Sequence, residues 1–171
     1  DLPKNVISTG INSISQLNAI KKFIKMNEIK KTIFLIPSLN YDLEIKQGIK
    51  KSKIKTQKQY FYDITPTKLT KQIEKITNYE IRKQNLFDEI TRLENSEDEN
   101  KEIKIENLKK RYTLGGLNFD SIVIADFDES LKSVVTSLIY TDVLPKKKYF
   151  ITFNQWFEES LFNETSSQPI Y

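Results

Sequence analysis

The sequence predicts an α/β fold, a three-layer parallel sheet with helices on both faces, and three observations carry that reading. The first is the stretch Phe119 to Asp128, FDSIVIADFD. Its core, Ser121 to Ala125, is an uncharged, mostly β-branched run of the kind that forms a strand buried on both faces. The second is the segment immediately after it. A polar turn leads into Leu131, Val134, Val135, Leu138 and Ile139, spaced as the apolar stripe of a helix. The third is recurrence, because strand-like and helix-like segments alternate along most of the chain, as parallel sheets require.

Taken in order, Val6 to Gly10 is a short extended segment closing on glycine. Ser13 and Gln16 have capping-box spacing and open an amphipathic helix through Leu17, Ile20 and Ile24. Thr32 to Ile36 reads as a second buried strand, stopped by Pro37, and Asn40 can cap a helix carrying Leu43, Ile45 and Ile49. Gln57 to Asp63 is aromatic-rich and strand-like, although lysines crowd its start.

Residues 65 to 118 interrupt the rhythm, being far longer than the 10–12 residues or so that a crossover needs. Helical patterns there start near Thr67, continue through Leu86 and Leu93, and end near Thr113, with Gly115-Gly116 as the stop. The expected result is a helical hairpin inserted at about 67–114 into a single lobe spanning 1–171. After the Leu131–Ile139 helix, Tyr149 to Phe153 forms a further strand, and Ile170-Tyr171 reads as the start of another. The first residue is Asp1, which reads as the start of a fragment excised from a longer chain.

Composition narrows the chemistry. With 171 residues and 38% hydrophobic content, one domain can bury a real core. No run approaches the 18 or so apolar residues of a membrane span. The absence of cysteine and histidine removes thiolate and imidazole nucleophiles, bases and metal ligands, which argues against an enzyme and against a metal or other cofactor. The net charge of +4 invites a nucleic-acid reading. Only Arg82, Arg92 and Arg111 among the 27 basic residues are arginine, however, and lysine-rich composition reads as a solvated surface. No nucleic-acid partner is expected. Phosphate-loop and dinucleotide motifs are absent as well.

In parallel sheets, ligands bind outside the carboxyl ends of the strands. That rule selects Ser38, Asn40 and Tyr41 after the second strand, Asp126 and Phe127 after the Ser121 strand, and Asn154, Gln155 and Trp156 after the last. Asp128 reads more simply as the N-cap of the next helix.

Several of these stretches together resemble a known family. Ser8-Thr9-Gly10 before a helix, Ile36-Pro37 with Asn40-Tyr41, FDSIVIAD, and Thr152 with Trp156 are similar to the second lobe of type 1 periplasmic binding proteins, the Leu/Ile/Val-receptor fold. Within that fold the helical insert ending in LKKRYTLGGLNFDSIVIADF resembles the penicillin-binding protein activator branch. The resemblance implies a non-enzymatic cell-envelope regulator that contacts a peptidoglycan synthase. Its location would be periplasmic, with lipid anchoring to the outer membrane open to the full-length protein. The alternative it implies is a solute receptor for amino acids or related small molecules, held between two lobes and feeding a transporter. In that receptor the strand-end residues would line one wall of the cleft, polar groups taking the ligand's amine and carboxylate and Tyr41 and Trp156 flanking its apolar part. Two positions depart from the family pattern: Asp42 stands where a glycine follows the tyrosine, and Ile151 stands where a glycine precedes the threonine.

Overall fold

Two uncharged runs form the centre of the sheet, as their composition demands. In the computed structural model, which describes residues 12–39, 42–126, 128–153 and 171, β1 (Thr32–Pro37) and β3 (Ser121–Ile124) are buried at every position. β2 (Lys58–Tyr62) and β4 (Tyr149–Thr152) flank them in the order β2-β1-β3-β4, with every pairing parallel. The lysine at the start of β2 is thereby explained: it lies on an outer strand, where charge is tolerated and discourages edge-to-edge pairing. Tyr171 lies alongside β4, its N–H donating to Phe150 O at 2.8 Å and its carbonyl accepting from Thr152 N at 2.7 Å.

Helices cover both faces. On one side, α1 (Ser13–Met26) and α2 (Asp42–Ser52) bury Leu17, Ile20, Ile45 and Ile49 against Phe34, Ile36, Val123 and Ile151. These two helices approach closely at Gly48, where a Cβ would lie 2.7 Å from Leu17 Cδ1. On the other side, α3 (Pro66–Ile76) and α6 (Asp128–Tyr140) bury Leu69, Ile73, Leu131, Val134 and Leu138 against Ile33, Leu35, Ile122, Ile124 and Phe150. Successive strand residues alternate between these two clusters, as the pleat requires. The expected α/β three-layer architecture is the observed one.

Element ends differ from the sequence reading in instructive ways. The cap of α1 is Asn12, whose Oδ1 accepts from Ser15 N at 2.9 Å, while Ser13 and Gln16 are buried inside the helix. Thr65, not Thr67, precedes α3, and Pro66 takes the first helical position, where its missing N–H costs nothing. Asp63 adds an Asx-type turn there, accepting from Thr65 N at 2.9 Å. The Val6–Gly10 segment and the Asn40 cap lie outside the described residues.

The long interruption divides into two parts. α3 belongs to the core layer. α4 (Tyr79–Glu94) and α5 (Lys101–Lys109) form an antiparallel hairpin that leaves it. α5 ends at Lys109, six residues before Gly115; that glycine supplies instead a φ of +118° in the returning loop. α4 buries Tyr79, Arg82, Leu86 and Leu93, whereas α5 buries nothing. Phe87 is 65% exposed and Ile103 is 62% exposed.

Candidate functional site

The sheet order places a topological switch between β1 and β3. From β1 the chain passes through α2 to β2 on one side, and it later returns to β3 on the other. The crevice outside the carboxyl ends of these two strands is where α/β folds of this kind hold ligands.

Register builds the crevice floor. Pro37 pairs with Tyr62, and Leu35 with Ile124, so Asp126 falls level with Pro37 two residues further on. Tyr62, Pro37 and Asp126 therefore share one row across three strands. The Tyr62 hydroxyl reaches across β1 and donates to Asp126 Oδ2. The same oxygen accepts from Ser130 Oγ in the first turn of α6 at 2.7 Å. Asp126 is 1% exposed and Tyr62 is fully buried. A buried carboxyl group is tolerated only when hydrogen-bonded, and these two hydroxyls meet that need. The Asp126 side chain thus ties β3, β2 and α6 together beneath the crevice.

Ser38, by contrast, is exposed at the end of β1, its N–H donating to Tyr62 O at 2.9 Å. Asn40, Tyr41, Phe127, Asn154, Gln155 and Trp156 lie outside the described residues, as does the side chain of Asp128. Of the residues expected at the crevice, then, the structure describes Ser38 at the surface and Asp126 below it. Tyr62 was missed by the sequence reading. Its signal is the Tyr60/Tyr62 spacing, which puts both rings on one face of the strand, with Phe61 on the other. Among the described residues no group of three or more acidic, His or Cys side chains could hold a metal ion. No described helix is long and apolar enough to cross a membrane.

A second polar cluster fastens the hairpin. Arg82 on α4 is 5% exposed and donates to Thr141 O at 3.1 Å and Thr113 Oγ1 at 2.6 Å. Thr113 Oγ1 in turn donates to Asp142 Oδ2 at 2.6 Å, and Arg82 Nη2 lies 3.6 Å from the same carboxylate. Burial pushes the Arg82 guanidinium below its usual range, and the neighbouring Asp142 carboxylate opposes that shift. Asp142 stands at φ 59°, a left-handed conformation that aspartate accepts more readily than most residues.

No protein-family model matches the chain, and neither does any curated protein. Among solved structures it is similar to an extracellular ligand-binding receptor from Verminephrobacter eiseniae, at 9% identity and a TM-score of 0.49, over 82% of this chain and 30% of that one. It is similar also to an uncharacterized protein from Actinobacillus succinogenes, at 9% identity and a TM-score of 0.49, over 89% of this chain and 46% of that one. The chain therefore spans less than half the length of either structure. The α/β layering described above rests on the chain's own strand order and burial.

Proposed function

We propose that this chain is one lobe of a two-lobed, type 1 periplasmic-binding-like protein that works by non-covalent binding, and that its partner is another cell-envelope protein. The observation that carries this reading is the α4–α5 hairpin. A buried arginine with four polar contacts is an expensive way to hold a surface element, and α5 adds nothing to the core it is held against. Such an element is retained for what its outer face touches. Phe87 and Ile103 supply exposed apolar surface on it, and a receptor for a small solute has no use for that. The finer assignment follows the sequence resemblance: a penicillin-binding protein activator, outside the cytoplasm, stimulating a peptidoglycan synthase by contact. The lipid anchor belongs to the same proposal.

In this reading Ser38, Asn40, Tyr41, Phe127, Asn154, Gln155 and Trp156 face the second lobe across the crevice, and Asp126 holds the floor under them. The second reading, a receptor for amino acids or similar solutes, is favoured by Ser38, which stands exposed at the switch point. Titration of the complete two-lobed protein separates the two. The regulator reading expects saturable binding to a purified peptidoglycan synthase, weakened by Phe87→Ser with Ile103→Ser, and no thermal stabilisation by amino acids. A rise of several degrees in Tm with leucine or a relative, without synthase binding, would replace it with the receptor reading.

A further inference from the structure

We infer that the cleft at the amino-terminal end of the sheet, between the base of the hairpin and the end of α6, is a binding site for a small phosphorylated compound that carries a base or a sugar. The cleft has a volume of about 920 Å³, within the size range of pockets that hold small ligands. It lies at the opposite end of the strands from Ser38 and Asp126: Lys147 and Lys148 on its wall directly precede β4, and Tyr140 closes the helix that returns from β3.

Its charge is concentrated. Arg82, Lys110, Arg111, Lys147 and Lys148 line it against a single carboxylate, Asp142. That excess equals the net charge of the entire chain, +4. Two of the three arginines in the sequence are here, so a general bias towards lysine does not account for the cluster. Lys110 and Lys148 have distant ion-pair partners, Glu106 at 3.6 Å and Asp120 at 3.8 Å, and Lys148 Nζ also donates to Phe119 O. Among the described residues neither Arg111 nor Lys147 has an ion-pair partner, and both are exposed at the rim. Arg82 beneath them is paired with Asp142, and its buried Nε keeps one N–H with no hydrogen-bond partner. A dianion is the ligand such a field selects, because arginine and lysine together grip phosphate by charge and by forked hydrogen bonds.

The ring requirement comes from the tyrosines. Tyr79 and Tyr140 pack with ring centroids 5.4 Å apart at 44°, and Tyr112 stands 77% exposed on the facing segment. The exposed rings of Tyr112 and Tyr140, beside the unpaired Arg111 and Lys147, form a platform for a base or a sugar whose phosphate is held by the cations, with Tyr79 buried behind Tyr140. Gly116, where an added Cβ would meet nothing within 4 Å, leaves the wall open between them.

Calorimetric titration of the protein with AMP, ribose 5-phosphate, adenosine and inorganic phosphate tests the site. We expect AMP or ribose 5-phosphate to bind more tightly than inorganic phosphate and than adenosine. Whichever of the two is tighter tells a base from a sugar as the ring. Arg111→Ala with Lys147→Ala should weaken that binding by about tenfold or more without altering the thermal transition, since both side chains are exposed. Tyr140→Ala should weaken the ring-bearing phosphate and leave inorganic phosphate unchanged. The inference is overturned if neither ring-bearing phosphate binds more tightly than inorganic phosphate, or if the double substitution leaves the affinity as it was.

Discussion

Tyr62 and Asp126, 64 residues apart in the sequence, meet across β1 at the carboxyl end of the sheet. The contact makes Asp126 a support of the crevice rather than a group displayed in it. Tyr62→Phe keeps the ring and removes the hydroxyl, leaving a buried carboxyl group short of one donor. Denaturant unfolding should show a loss of about 1–3 kcal/mol. In a double-mutant cycle with Asp126→Ala the two losses should not add, because each removes the same contact. Additive losses would mean that the two side chains act separately.

Arg82 fastens the hairpin as Tyr62 fastens the floor. Arg82→Met should cost roughly 3 kcal/mol, because Asp142, Thr113 and the Thr141 carbonyl lose a buried partner together. Lysine cannot reproduce the forked contacts, so Arg82→Lys should recover less than half of that loss. Thermal or denaturant unfolding checks both variants, and full recovery by lysine would show that charge alone is what matters.

The hairpin divides at Leu86. Replacing residues 89–108 by a short glycine-serine linker should leave cooperative unfolding intact, because α5 buries nothing and, although Leu93 is lost, the anchoring residues Tyr79, Arg82 and Leu86 remain. Removing 79–111 takes Arg82 with it and should broaden or abolish the transition. Equal behaviour of the two deletions would contradict the anchoring role.

Acid should loosen the hairpin turn before it unfolds the sheet. A hydrogen bond from Lys104, then the Asn100 N–H, holds the Asp98 carboxyl below its ordinary value of 3.8. Arg92 holds Glu89 below 4.5 in the same way. Both folded-state values are depressed, so their contribution is present above the ordinary values and is lost as pH falls through the lower, folded ones. Amide chemical shifts of residues 95–100 should therefore hold steady from pH 7 to about 5 and change below about pH 4. A transition between pH 7 and 5 would assign the turn to other groups.

The core strands were legible because burial on both faces leaves no choice of composition. Thr32–Pro37 and Ser121–Ile124 can be little else. The position of Asp126 at a strand end followed from the same reasoning. Its partner did not, since the Tyr62 contact depends on the Pro37–Tyr62 register, which no local pattern encodes. Arg82 was illegible for a related reason. On its own helix it reads as a surface residue, and its burial arises from Thr113, Thr141 and Asp142, which the fold brings to it from elsewhere. The basic cleft was hidden likewise, because Arg82, Arg111 and Lys147 are far apart along a lysine-rich chain. The helix caps slipped by one or two residues, where Asn12 and Thr65 took the places expected of Ser13 and Thr67.

The most direct test of the central claim, binding to an envelope protein through the hairpin, is calorimetric titration of the protein into a purified peptidoglycan synthase. The account predicts saturable binding that Phe87→Ser with Ile103→Ser reduces by about tenfold, while the unfolding transition of the variant stays within about 0.5 kcal/mol of the parent. Absence of binding, or binding indifferent to those two substitutions, would contradict it.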